Sequence, residues 1–223
     1  MKVLHNVIIL DRSGSMAGEK YHTATKGVED EIKDMEKHKG ELYVTQTVIE
    51  FEGDEKNPNV AVHTFMMPSS NVKNIRFKGT AGGTPLYLTV ETTINKLLEH
   101  VNPGEKVLLK IFTDGQDTTN YNPATLKALI NKVEELHEFT VTFEGTKFDG
   151  EKVHKDIGIK FDNMVYHRND AVSMKMSGGV RGQATASYMS AVADGLEGAE
   201  LKSRGFYSTA PQDDLTDIDP KKP

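Results

Sequence analysis

One carboxylate and two hydroxyl groups stand at alternate positions near the start of the chain. Asp11, Ser13 and Ser15 come directly after residues 3–10, an apolar run that predicts a buried β-strand. Open α/β sheets bind their ligands at the carboxyl ends of such strands. All three side chains offer oxygen, which suits Mg²⁺, Mn²⁺ or Ca²⁺ better than metals that prefer thiolate ligands. The spacing therefore predicts a site for a hard divalent cation.

Two later segments can bring further oxygen ligands to the same place. Thr84 lies in a Gly-Gly-Thr-Pro sequence, and Asp114 lies in a Thr-Asp-Gly sequence after the apolar run 107–112. If that run and the first strand are parallel neighbours, their carboxyl ends lie about 5 Å apart. Asp11 and Asp114 can then share one cation with three hydroxyls. An octahedral ion would keep an open position for water or for an acidic side chain of a partner.

Strand and helix patterns alternate along the chain, which is typical of an α/β fold. A second β pattern close behind strand 42–51 predicts a hairpin, and hence one antiparallel edge strand on a mostly parallel sheet. A glycine-rich stretch, 177–182, predicts a flexible connector ahead of the last helix. The predicted strands are 3–10, 42–51, 60–66, 107–112, 139–143 and 164–166, and the predicted helices are 18–38, 86–101, 123–137, 151–157 and 183–196.

The pattern of elements fades near the carboxyl end. We expect one domain over residues 1–200 and a disordered acidic tail over residues 201–223, because that segment carries Asp213, Asp214, Asp217 and Asp219 between prolines and lysines.

The combination of these motifs resembles the metal-ion-dependent adhesion site of von Willebrand factor A domains. The resemblance rests on Asp11-x-Ser13-x-Ser15, on Thr84 and on Asp114, in that order and at strand ends, and it covers roughly residues 1–198. Within that family the chain looks most like the compact bacterial and phage domains, including the tellurite-resistance type.

The resemblance implies a Rossmann-like three-layer sandwich, with a central, mostly parallel sheet and helices on both faces. It implies that Ser13, Ser15 and Thr84 bind Mg²⁺ directly, and that Asp11 and Asp114 bind it directly or through water. It further implies a protein partner that presents an acidic side chain to the metal, and no catalysis.

The bulk composition narrows the setting and the partners. The 223 residues carry 27 Lys and Arg against 33 Asp and Glu, a formal charge of -6, which argues against nucleic acid and anionic membranes as partners. There is no cysteine, which excludes disulfides and a cysteine nucleophile. No secretory signal or membrane-spanning run is visible. We expect a cytoplasmic protein of a bacterium or of a phage-infected cell.

Three other interpretations remain open at the level of the sequence. Asp11, Ser13 and Ser15 are preferred helix-capping residues, so each taken alone fits a cap or a turn. An aspartate after a first strand also fits a Mg²⁺-dependent phosphohydrolase, although the second acidic residue that such enzymes use two positions later is here Ser13. The third alternative is a structural or assembly protein with a vestigial metal site.

Overall fold

A six-stranded sheet forms the centre of the protein. The computed structural model describes residues 1–196 and 198–208. The strands are β1 (Val3–Asp11), β2 (Tyr43–Gly53), β3 (Pro58–Pro68), β4 (Lys106–Phe112), β5 (Phe139–Gly145) and β6 (Met164–Tyr166). Their spatial order is β3-β2-β1-β4-β5-β6, so β1 and β4 are central neighbours.

All strand pairs are parallel except the pair of β2 with the edge strand β3. β1 lies between β2 and β4, in a register that sets Leu10 beside Phe112. Both central strands are buried along nearly their whole length, which explains their continuous aliphatic sequences. The predicted mostly parallel sheet with one antiparallel edge strand is confirmed.

Helices cover both faces of the sheet and bury its side chains. The helices are α1 (Glu19–His38), α2 (Leu86–Leu98), α3 (Pro123–Leu136), α4 (Lys147–Ile157), α5 (Ala171–Asp194) and α6 (Gly198–Arg204). On one face, Ile9 and Leu109 belong to a single apolar cluster with residues of α2, α3 and α4. On the other face, Ile8 and Phe112 pack in a cluster with residues of α1 and α5.

The glycine-rich stretch 177–182 is not a connector; the prediction of a loop there is wrong. It forms the middle of α5, one continuous helix of 24 residues. Glycine disfavours helix, but long-range contacts outweigh local propensity here. Ser177 and Arg181 both donate to Glu144 of β5, and these bonds hold the segment against the sheet. Gly27 of α1 leaves room for Arg181, since a Cβ there would lie 2.9 Å from its guanidinium.

Arg181 belongs to a buried network of two acids and two bases. It donates to Glu31 of α1 at 2.6 Å, and Glu31 also binds Lys110 of β4. All four side chains are at most 5 % exposed. Burial alone would raise the pKa of Glu31, but the charges of Lys110 and Arg181 hold it below its ordinary value. The network, with its acids and bases balanced, links α1 and α5 to the sheet.

The packed part of the chain extends beyond the domain end drawn from the sequence. Helix α6 runs to Arg204, and Phe206 and Tyr207 are buried in the cluster under α5. The predicted acidic tail therefore overlaps a packed segment between 201 and 208, and its aspartates at 213–219 lie outside the described residues. None of the described helices is long and apolar enough to cross a membrane.

Truncating Arg181 should strongly destabilise the fold. In Arg181→Ala the carboxylates of Glu31 and Glu144 stay buried with one cation fewer, so we expect a loss of about 3–5 kcal/mol in the free energy of unfolding. Urea denaturation followed by circular dichroism measures this. Lys175→Ala removes an exposed charge from the same helix and should change stability by less than about 0.5 kcal/mol. Equal losses in the two variants would contradict a structural role for the network.

Candidate metal centre

The sheet brings the predicted ligands to its carboxyl edge. Asp11 is the last residue of β1, Asp114 follows β4 by two positions, and Thr84 lies just before α2. Ser13 and Ser15 lie in the turn after β1, where a short 3₁₀ helix spans Gly14–Met16. Because β1 and β4 are parallel neighbours, Asp11 and Asp114 lie at the same edge of the sheet.

Hydrogen bonds link the hydroxyls to one of the carboxylates. Ser13 Oγ lies 3.0 Å from Ser15 Oγ, and Ser15 Oγ donates to Asp114 Oδ1 at 2.6 Å. Adjacent ligands of an octahedral Mg²⁺ ion, each about 2.0–2.1 Å from the metal, lie about 2.9 Å apart. The oxygen spacing is thus close to that of a coordination shell, and the donor set fits a hard divalent cation.

Thr84 lies beside these groups. A Cβ on Gly115 would lie 3.6 Å from Ser15 Oγ and 3.8 Å from Thr84 Oγ1, so both hydroxyls border the same small space next to Asp114. Thr84 is buried and Ser15 is exposed, which leaves the site open to solvent on the side of Ser15. Two hydrogen bonds with Thr118 fix the backbone of Thr84. The Thr84 amide donates to Thr118 Oγ1 at 2.8 Å, and the Thr118 amide donates to the Thr84 carbonyl.

Asp11 is completely buried and fully engaged. Its Oδ1 accepts from the Ser13 amide at 2.7 Å, and its Oδ2 accepts from Thr113 Oγ1 at 2.6 Å. Burial raises the pKa of Asp11 to about 6, although the hydrogen bonds from Thr113 and Ser13 lower it; the negative charge of Asp114 adds to the rise. A divalent cation between the two carboxylates would relieve this cost.

The loop that carries Thr84 is shaped by glycine. Gly82 has φ +64°, and a Cβ there would lie 2.8 Å from the Gly53 amide nitrogen. The Gly82 carbonyl accepts from the Gly14 amide at 3.1 Å, and the Gly53 amide donates to Gly83 at 3.1 Å. These backbone bonds tie the Thr84 loop both to the turn after β1 and to the end of β2.

Two neighbouring residues support the site through hydrogen bonds. Thr113 Oγ1 donates to Asp11 Oδ2 and accepts from the Gly115 amide at 3.0 Å. The second residue, Asp117, contacts the start of α2. Its Oδ2 accepts from the Tyr87 amide at 2.8 Å, in the first turn of α2, and its Oδ1 accepts from Thr119.

Sequence reasoning missed Lys20 and Asn169. Lys20 forms an ion pair with Asp114 Oδ2 and donates to Asn169 Oδ1 at 2.7 Å. One signal was present: a lysine in the first turn of a helix faces the positive end of the helix dipole, which is unfavourable unless an acid lies nearby. Asn169, in the loop before α5, carries no comparable signal.

The donor set rests on hydroxyls as much as on carboxylates. Within residues 1–196 and 198–208, no group of three or more histidine, aspartate or glutamate side chains is arranged to hold a metal ion. Any cation at this edge would therefore depend on Ser13, Ser15 and Thr84 together with the two aspartates.

Sequence comparison and structural comparison give different results. The sequence matches no protein-family model, and no curated protein matches it. The structure is similar to the ArnB paralog VWA2 of Sulfolobus acidocaldarius, with a TM-score of 0.53 and 16% identity over 81% of this chain and 45% of that one. The chain thus has the fold of von Willebrand factor A domains.

Two further structures share this fold. Proximal thread matrix protein 1 of the mussel byssus, solved with a zinc-occupied MIDAS motif, gives a TM-score of 0.61 and 10% identity over 83% of this chain and 46% of that chain. The pilus adhesin SpaC of Lactobacillus rhamnosus GG gives 0.63 and 13% identity, over 83% and 31%. The chain spans less than half the length of each of these three structures.

Adding one methyl group at Gly82 should disturb the loop that positions Thr84. We expect Gly82→Ala to lose at least about 1–2 kcal/mol in the free energy of unfolding, because alanine is strained at positive φ and its Cβ would press on the backbone of Gly53. Gly79→Ala is the matched control, since a Cβ there meets no atom within 4 Å. Thermal denaturation of both variants compares them; equal stability would contradict the role assigned to Gly82.

Proposed function

We propose that this chain is a metal-dependent protein-binding module, in which Mg²⁺ held by Asp11, Ser13, Ser15, Thr84 and Asp114 captures an aspartate or glutamate of a partner. The observation that most supports it is the run of hydrogen bonds from Ser13 through Ser15 to Asp114, at spacings close to those of a metal's coordination shell. Mn²⁺ and Ca²⁺ are also compatible with oxygen ligands, but the short spacings favour the smaller ions.

The chain's own residues would divide the work of binding. Asp11, held by Ser13 and Thr113, contributes a fixed negative charge at the end of β1. The hydroxyls of Ser13, Ser15 and Thr84 add neutral oxygens, so the ligand set carries no negative charge beyond that of the two aspartates. When bound, the ion would supply a Lewis-acid position for the partner's carboxylate. Ser15 is exposed, so a partner can approach from its side.

The similar structures support the general form of this proposal. One is described as a pilus adhesin, and another is a thread matrix protein whose MIDAS motif holds zinc. A divalent ion at an adhesion-type site therefore occurs on this fold. We infer Mg²⁺ rather than zinc for this chain because its ligands are all oxygens.

A hydrolytic function fits the site less well, and we propose that the chain is not an enzyme. An aspartyl nucleophile needs an accessible oxygen, whereas both oxygens of Asp11 accept hydrogen bonds and its side chain is fully buried. Ser13 stands where the phosphohydrolase pattern needs an acid. A generic aryl phosphate with Mg²⁺ should show no turnover above a buffer blank.

Removing the charge of either aspartate should abolish tight ion binding. We expect Asp11→Asn and Asp114→Asn to weaken Mn²⁺ affinity at least about 100-fold, since each loses one of two carboxylate ligands while keeping its shape. Electron paramagnetic resonance of free Mn²⁺ during titration gives the affinity. Asp30→Asn, which removes an exposed charge from α1 and touches none of the five ligands, should bind Mn²⁺ as wild type does. Wild-type affinity in both ligand variants would refute the assignment of the site.

Capture of a carboxylate should depend on Thr84 and on the ion. Titrating acetate into the Mn²⁺-loaded protein should displace bound water and reduce water-proton relaxation, whereas uncharged methyl acetate should not. Thr84→Ala should strongly weaken this acetate response while lowering the melting temperature only slightly. Thr92→Ala, which changes an exposed threonine of α2, should leave the acetate response unchanged. Chelation of the ion should abolish the acetate response. An equal response to acetate and methyl acetate would contradict carboxylate capture.

A further inference from the structure

Lys20 brings a positive charge into direct contact with the acidic side of the site. Its ammonium binds Asp114 Oδ2 and, at 2.7 Å, Asn169 Oδ1. The side chain of Asp114 is 0 % exposed and that of Lys20 is 18 % exposed, so the pair connects a buried carboxylate to the surface. A partly buried pair of this kind is screened by salt much less than a surface ion pair.

The two oxygens of Asp114 face different groups. Oδ1 accepts from Ser15 Oγ at 2.6 Å, on the side of the hydroxyl ligands, and Oδ2 faces Lys20. The lysine therefore leaves the oxygen on the ligand side available. The effect of Lys20 on a bound cation would be electrostatic, because its positive charge offsets part of the negative charge that attracts the cation.

Counting charges shows what this neutralisation would do. Asp11 and Asp114 contribute two negative charges and Lys20 one positive charge. The net charge of these three side chains is therefore about -1, and it becomes about +1 once a divalent ion is bound. Without Lys20 the loaded site would be neutral. Arg12 is paired with Glu52 at 3.0 Å, and Asp149 is bonded to Thr146; neither alters the difference of one charge that Lys20 makes.

We propose that Lys20 sets the specificity of the loaded site for anions: it lowers the affinity for the divalent ion and raises the affinity of the bound ion for a carboxylate. This rests on the proposed metal-dependent function and adds a residue to it that does not bind the ion. A loaded site with a net positive charge attracts a partner's aspartate or glutamate, whereas a neutral one would bind it weakly.

Two substitutions separate the charge of Lys20 from its hydrogen bonds. Lys20→Gln keeps a neutral hydrogen-bond donor, on a side chain one atom shorter, but loses the charge, and Lys20→Met loses both. In each variant we expect Mn²⁺ to bind about tenfold more tightly, equivalent to about 1.4 kcal/mol. The Mn²⁺-loaded variants should bind acetate about tenfold more weakly than wild type. Paramagnetic resonance and water-proton relaxation give the two affinities.

Lys26→Met is the matched control. Lys26 lies on the same helix, 63 % exposed and paired with Asp30, so its removal changes the net charge of the protein equally without touching the site. We expect both affinities of Lys26→Met to equal those of wild type. Melting curves of every variant identify any loss of folding. If Lys20→Met does not fold, Lys20→Gln alone tests the effect of removing the charge.

The possible outcomes decide the proposal. Weaker Mn²⁺ binding in Lys20→Gln or Lys20→Met would overturn it, because the lysine would then merely position Asp114. Unchanged affinities, or the same shifts in Lys26→Met, would overturn it as well. If wild type binds no Mn²⁺ but the Lys20 variants do, the opposing charge is supported and the proposed function fails. If none of them binds Mn²⁺, both fail.

Discussion

Two buried carboxylates at the ends of neighbouring parallel strands govern the arrangement of this edge of the protein. β1 and β4 lie side by side in register, and the chain beyond them carries Asp11 and Asp114 into the same small region. Holding two negative charges together away from water is costly, as the raised pKa of Asp11 indicates. The surrounding loops supply what offsets this cost: the Ser13 backbone amide, the hydroxyls of Ser15 and Thr113, and the ammonium of Lys20.

A second group of buried charges, on the α1 and α5 side of the sheet, provides an informative contrast. Glu31 and Glu144 are matched there by Lys110 and Arg181, so acids and bases balance and the network holds α1 and α5 to the sheet. At the carboxyl edge, two acids meet one ammonium, and the hydroxyls present oxygens rather than charges. A balanced network is suited to structure, whereas a site with surplus negative charge and open to solvent is suited to binding a cation.

Local patterns in the sequence were sufficient to predict the sheet and the shared turn of Asp11, Ser13 and Ser15; the ligand role of these residues, Thr84 and Asp114 is a proposal. Continuous aliphatic runs predict buried parallel strands, and Asp11, Ser13 and Ser15 lie within one short turn, so their proximity follows from the sequence itself. Contacts over long distances in the chain were beyond such reasoning. The Lys20–Asp114 pair joins residues 94 positions apart, and the continuity of α5 depends on the bond from Arg181 to Glu144. Local propensity at the glycines pointed the other way.

The most direct test of the account is to locate the ion. Crystals of the protein grown with Mn²⁺, and measured for anomalous scattering, should show one strong peak between Asp11, Ser13, Ser15, Thr84 and Asp114, with oxygen ligands at about 2.0–2.3 Å. Such a peak would establish that the carboxyl edge of the sheet is a metal centre. A well-ordered edge without a peak at saturating Mn²⁺, or a peak bound elsewhere on the surface, would contradict it and leave these residues as caps and turns.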